Sequence, residues 1–151
     1  MTIVDFDISD RAALSAVMQQ AFDPRYGEAW TDGQCIAILG MPGYALRLLK
    51  DGQQLAGFAM TRQVAQESEL LLLAVDPQWR RRGMASLLLD DWQRRVAAAN
   101  VVHLYLEMRA DNEARALYEQ SGFREIGLRP NYYRGNDGVM RDAVTMSKLI
   151  D

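Results

Sequence analysis

The chain has one cysteine, one histidine and no apolar run approaching the length of a membrane span. Cys35 alone excludes an internal disulfide and agrees with a reducing compartment. Cys35 and His103 are both solitary, and Cys35 falls in a predicted helix where packing accounts for it, so a Cys–His nucleophile is not expected. The same scarcity, without clustered carboxylates, argues against a metal site. The opening MTIVDFDIS carries neither a basic region nor a signal-type apolar stretch, which points to a cytoplasmic protein away from the membrane. There is no GKS or GKT for a P-loop and no G-x-G-x-x-G for a dinucleotide fold. Repeats, linkers and low-complexity segments are absent. A net charge of −3 leaves no overall surface for nucleic acid.

What is there centres on Leu70–Leu89, LLLLAVDPQWRRRGMASLLL. Leu70–Val75 is too short for a typical helix and stops at Asp76-Pro77, which reads as a buried strand. Met84, Leu88, Trp92 and Val96, with Leu87 and Leu89 beside them, recur at helical spacing and describe a helix lying on a sheet. Between them, Gln78–Ala85 is a basic turn that enters the helix. A helix start exposes N–H groups without intrahelical partners and carries the positive end of the dipole, so strand, turn and helix start form an anion cradle. Gly83 admits a ligand close to the backbone, Ala85 is nearly as small, and pyrophosphate is the expected guest. Arg80, Arg81, Arg82, Arg94 and Arg95 make a local basic patch on an acidic protein, which suits a small polyanion.

In chain order, the pattern predicts a strand over 2–6, a helix capped at Ser9-Asp10 and stopped by Asp23-Pro24, and a shorter helix from Thr31 through Leu39. Strands follow over 44–50 and 55–63, joined at Asp51-Gly52, and over 68–75. The long helix spans 83–99, a strand 101–107, a helix from Asp111-Asn112 through Gln120, and strands 123–128 and 143–148 close the sheet. Its 151 residues make one domain, 1–151, of the α/β (α+β) class with helices on both faces of a mixed sheet.

Arg80-x-x-Gly83-x-Ala85 after Ala74-Val75-Asp76-Pro77 resembles the acetyl-CoA motif of the GNAT N-acetyltransferases, and the element order is similar from end to end. Leu104-Tyr105-Leu106-Glu107-x-Arg109, Leu117-Tyr118-x-x-x-Gly122-Phe123, Arg129-x-Asn131-Tyr132-Tyr133 and Asp142-Ala143 with Met146 are similar to the bacterial ribosomal-protein alanine N-acetyltransferases. The resemblance implies a sheet of about seven strands flanked by about four helices, with splayed strands forming the acetyl-CoA cleft. It implies direct acetyl transfer to an amine, most readily the N-terminal alanine of a ribosomal protein. An enzyme acting on a small amine or antibiotic, or a non-catalytic acyl-CoA sensor, stays open. The resemblance gives no nucleic-acid or membrane partner, and a monomer or weak homodimer.

The implied roles follow the motifs. Leu73, Ala74 and Val75 hold the pantetheine arm; Arg80, Arg81, Arg82, Gly83, Met84, Ala85 and Ser86 hold the pyrophosphate. Glu107, read as ending its strand with Arg109 or a neighbour as the pairing alternative, is the general base, with Glu69 and Glu67 in reserve. Tyr118 is the acid that protonates the leaving thiolate. The family asparagine stands seven residues before the tyrosine; here Asp111 occupies that place and Asn112 follows, so either contacts the pantetheine arm or caps the helix. Tyr132 and Tyr133, read as following the sixth strand, and Trp30 with Tyr26 from the opposite side, wall an acceptor groove or merely cover the sheet edge.

Overall fold

The computed structural model describes residues Met1–Ile150; Asp151 lies outside it. Strands β1 (Thr2–Asp5), β2 (Tyr44–Asp51), β3 (Gln54–Val64), β4 (Glu67–Val75), β5 (His103–Arg109), β6 (Arg124–Arg134) and β7 (Met140–Leu149) form one sheet in the order β1-β2-β3-β4-β5-β7-β6. All neighbours run antiparallel except β4 and β5. The helices are α1 (Arg11–Ala21), α2 (Asp32–Leu39), α3 (Met84–Ala98) and α4 (Arg115–Gln120). Among the described residues no helix is long and apolar enough to cross a membrane.

Local chemistry explains the element starts. Thr31 accepts from the Gln34 N–H at 3.1 Å while the Gln34 side chain accepts from the Thr31 N–H at 2.8 Å, a reciprocal cap on α2. The first helix starts differently from the expectation. A short 3-10 turn at Ile8–Asp10 precedes α1, Asp7 caps it, and Asp10 reaches back to accept from the Asp7 N–H at 3.0 Å. The fifth strand is also displaced. Val101 and Val102 are used to close α3 and meet Gln66, so β5 starts at His103 and Glu107 lies two residues inside it. Likewise β6 runs to Arg134, which puts the tyrosine pair within the strand.

Two cores lie on opposite faces. Leu14, Val17, Met18 and Cys35 of α1 and α2 pack on Leu46, Leu48, Phe58, Met60 and Leu72. Leu88, Leu89, Trp92 and Val96 of α3, with Tyr118 of α4, pack on Ala59, Leu70, Leu104, Leu106, Val144 and Met146. Trp92 is fully buried, stacks on Phe123 and donates to the Ser68 hydroxyl at 2.9 Å. Arg47 of β2 grips Asp91 of α3 with two hydrogen bonds of 3.1 Å, and Arg95 adds a third at 3.0 Å.

One irregularity decides where the sheet opens. Between β3 and β4 the register passes from Met60↔Leu72 to Thr61↔Leu70, leaving Leu71 without a counterpart. A bulge bends the strand and reverses its alternation. Leu70 accordingly packs with α3 while Leu72 packs with α1 and α2. Beyond that point β4 leaves β5: their pairing covers only Glu67–Leu70 against His103–Leu106.

Candidate active site

Where β4 and β5 part, a cleft of about 810 Å³ opens between the α1–α2 loop, the start of α3 and α4. Leu73, Ala74 and Val75 form one wall. Their strand is paired with β3 on one side, while the side toward β5 has no strand partner. A bare parallel edge of this kind accepts an extended chain bearing amides.

The floor is the turn into α3. Asp76 accepts from the Gln78 N–H at 2.9 Å and sets a 3-10 turn over Pro77–Trp79. Arg81 and Gly83 then both take left-handed backbone, with φ of 62° and 78°. Gly83 is the N-cap of α3 and supplies no side-chain acceptor, so the N–H groups of the first turn remain available. A Cβ added at Gly83 would meet nothing within 4 Å, so the space above the turn is open. The residues therefore fit a pyrophosphate on backbone amides. Arg81, Gly83, Met84, Ala85 and Ser86 all line the cleft. The arginines divide. The Arg80 guanidinium crosses to the carbonyls of Ala21 at 2.8 Å and Val75 at 3.4 Å, and Arg82 stacks on Trp79 outside the cleft lining. Arg95 is tied to Asp91, so it does not belong to the expected basic patch.

Tyr118 projects from α4 into the cleft, 7% exposed, with its ring edge-on to Phe123 at 6.2 Å. Among the described residues no hydrogen bond engages its hydroxyl. Burial, reinforced by the charge of Glu28, pushes the phenol above its ordinary value. Asn112 and Asp111 line the same cleft. Asn112 accepts from the Ala114 N–H at 2.9 Å in the turn before α4, whose N-cap Ala114 supplies no side-chain cap; among the described residues nothing engages the Asn112 Nδ2, while Asp111 is bound to Arg109 at 3.0 Å.

Glu107 lies elsewhere. Leu104, Leu106 and Met108 point into the α3 and α4 core, so Tyr105, Glu107 and Arg109 face the other side of the sheet. Glu107 does not line the cleft. It accepts from the Thr145 hydroxyl at 3.3 Å and pairs with Arg129 at 3.2 Å. Arg109, the pairing partner considered for it, is bound to Glu28 and Asp111 instead. Glu69 shares the Glu107 face, and burial, followed by the opposing pull of Arg62 and the repulsion of Glu107, leaves its carboxyl above the usual range. Tyr118 and Glu107 thus belong to opposite faces of the sheet, near where β4 and β5 part.

Tyr132 and Tyr133 owe their positions to a second bulge. The β6–β7 register jumps from Arg129↔Ala143 to Tyr133↔Arg141. Asn131 turns left-handed there, with φ of 52°, and its N–H donates to Asp142 at 2.9 Å. The tyrosine rings meet edge to face at 5.2 Å. Burial, then Glu107 and Glu28, push Tyr133 up to about 12. Trp30 packs against the α1/α2 core and does not line the cleft, whereas Tyr26 does. Glu28, in the same loop, was not legible as a site residue: it has no local motif, and only the long-range pairing with Arg109 brings it to the cleft. Among the described residues no group of three or more His, Cys, Asp or Glu side chains is placed to hold a metal.

Comparison with known proteins adds the relatives. Residues 28–139 match the family model described as acetyltransferase (GNAT) domain. The chain is 33% identical over 97% of its length to the [ribosomal protein bS18]-alanine N-acetyltransferase of Escherichia coli (strain K12), covering 95% of that protein. It is 42% identical over 119 residues, 78% of this chain and 79% of the relative, to the corresponding Salmonella typhimurium protein. The crystal structure of the ribosomal-protein-S18-alanine N-acetyltransferase from Escherichia coli superposes with a TM-score of 0.87 at 33% identity, over 99% of this chain and 94% of that one.

Proposed function

The chain belongs to the GNAT acetyltransferases and is an N-acetyltransferase, and from that premise we propose acetyl-CoA as its donor and the N-terminal alanine of the ribosomal protein bS18 as its acceptor. The relatives named for that reaction, one of them matched nearly end to end, support the acceptor. The observation that carries the reading is the parting of β4 and β5, which puts a bare strand edge, open helix-start amides and the Tyr118 hydroxyl in one cleft.

When bound, acetyl-CoA supplies an activated acetyl thioester. In this reading the backbone of Leu73–Val75 holds the pantetheine arm as an added strand, and the amides of Arg81–Ser86 hold the pyrophosphate. The free Nδ2 of Asn112 reaches the same arm. Arg80 acts at a distance, by tying Val75 to the end of α1. The acceptor enters from the opposite face, past Tyr132 and Tyr133. Glu107 takes one proton from the acceptor ammonium, the freed amine forms the new C–N bond, Tyr118 donates its hydroxyl proton to the sulfur as the C–S bond breaks, and the second proton that the nitrogen loses in becoming an amide restores the Tyr118 hydroxyl. A phenol pushed up by burial keeps that proton at neutral pH. A ribosomal acceptor places the reaction in the cytoplasm.

The test is transfer of labelled acetyl from acetyl-CoA to a panel holding the bS18 N-terminal peptide, other N-terminal peptides, polyamines and aminoglycosides. Label on the alanine-starting bS18 peptide is expected. Label on small amines alone overturns the acceptor assignment, and cofactor binding without any transfer overturns the catalytic reading.

A further inference from the structure

The loop between α1 and α2 is fastened from two directions. The Tyr26 ring lies under Arg109 at 3.4 Å, with Arg141 at 4.7 Å and Arg25 at 5.0 Å. Asn136, in the β6–β7 turn, donates to the carbonyls of Arg25 and Pro24 at 2.8 and 2.7 Å. Arg109, with its side chain only 8% exposed, holds Glu28 Oε1 through Nη1 at 3.1 Å and Asp111 through Nε at 3.0 Å. Arg109 stands two residues past Glu107 and so shares its face. The loop is thereby drawn across the open end of β5, and Glu28 becomes part of the cleft wall.

Glu28 stands in the cleft wall with only part of its carboxylate engaged. It is half-buried, and among the described residues no donor other than Arg109 reaches it, so Oε2 is free. Burying a carboxylate with one oxygen unengaged is unfavourable unless a donor arrives. Arg109 already has Asp111 as a counter-charge, so neutralising the arginine does not require Glu28. Glu28 and Tyr118 line the same cleft, and Arg109, which holds Glu28, shares the face of Glu107. The charge of Glu28 is felt by Tyr118 and also by Tyr133, which feels Glu107 as well.

Building on the acceptor reading above, we propose that Glu28 Oε2 accepts a hydrogen bond from the acceptor's α-ammonium, with Arg109 as the positioning residue that holds Glu28 in place. An ammonium has three donors. One is the proton that goes to Glu107, and a second is held by Glu28, which exchanges no proton. This fixes the direction of the amine lone pair once the first proton has left. It also sets Glu28 apart from Glu107 in kinetics: holding the amine before and during transfer lowers KM, whereas removing its proton sets kcat.

The experiment compares wild type, Glu28→Gln, Arg109→Lys and the double variant, using the bS18 N-terminal peptide at saturating acetyl-CoA. Glu28→Gln keeps an acceptor oxygen for Arg109 but removes the charge that meets the ammonium. The acceptor KM should rise about 10- to 100-fold, the range for a lost charge-assisted hydrogen bond. The value of kcat should stay within a few-fold, and the acetyl-CoA Kd should not move. Arg109→Lys keeps charge but loses the flat two-armed grip and the stacking on Tyr26. It should raise the same KM, and the double variant should be little worse than either single one. Unchanged acceptor KM in folded Glu28→Gln overturns the proposal and makes Glu28 a counter-ion alone. If wild type ignores the peptide but acetylates a small amine, the acceptor reading falls, and the same KM comparison on that amine judges Glu28 separately. Transfer to nothing overturns both.

Discussion

Replacing Tyr118 by phenylalanine separates chemistry from packing, because the structure assigns the ring and the hydroxyl to different partners. The ring is buried against Phe123 and the α3 core, and phenylalanine keeps that contact. Tyr118 lines the cleft and, among the described residues, no partner engages its hydroxyl, so removing it should change stability by less than about 1 kcal/mol. If it protonates the leaving thiolate, turnover should fall roughly 10²–10⁴-fold, equivalent to ~2.7–5.4 kcal/mol of barrier. The acetyl-CoA Kd, read by calorimetry, should stay within a few-fold. The defect should shrink for a thioester with a more acidic thiol, whose thiolate leaves without help. Tyr118 also carries a sign-definite pH effect. Its folded phenol is raised, so the unfolded chain ionises first as pH climbs. Its contribution to stability is full below about pH 10 and is lost above it, and the variant should show less alkaline destabilisation. Normal turnover with an altered Tm would refute the reasoning and leave Tyr118 a packing residue.

Glu107→Gln keeps shape and removes basicity, so turnover should drop roughly 10²–10⁴-fold with acetyl-CoA affinity unchanged; activity within a few-fold of wild type across pH would pass the role to Glu69, whose carboxyl is already raised by burial. Gly83→Val forces a branched residue into φ of 78°, at a cost of about 1–2 kcal/mol, and lays a side chain over the amides; the acetyl-CoA Kd should rise at least about tenfold, and an unchanged Kd in folded protein would remove the cradle. Asp91→Ala takes from the Arg47 guanidinium, whose side chain is 17% exposed, its buried partner and leaves it the exposed Asp5 at 3.0 Å, which should cost about 2 kcal/mol in urea unfolding. Burial pushes the Asp91 carboxyl up, but its hydrogen bonds to Arg47 and Arg95 hold it below the usual range. That contribution is present above about pH 4 and lost as pH falls, so wild type and variant should converge in acid and differ at pH 7.

The stretch Leu70–Leu89 was readable because its physics is local. An apolar run closed by Asp-Pro, a basic turn and a helical apolar stripe leave few ways to fold, and the anion cradle follows from helix-start amides alone. Helix α2 was equally plain, since Thr31 and Gln34 cap each other within one turn. Element ends were less so: the start of α1 shifted to an Asp7 cap, and β5 moved two residues because Val101 is drawn under α3. Motif resemblance brought Glu107 and Tyr118 into view but carried no information on which face either occupies.

The amino-acid sequence thus determined the elements and the exposed helix-start amides, since each depends on neighbours within a few residues, while the candidate acid and base came only with the motif resemblance. Tertiary structure alone decided how they meet. The bulge at Leu71 parts β4 from β5, the bulge at Pro130–Tyr132 aims the tyrosines, and Arg109 pairs with Glu28 across 81 residues. A bulge is a mismatch between two strands, and an ion pair between distant residues is a property of the folded surface. Neither exists until the chain has closed on itself.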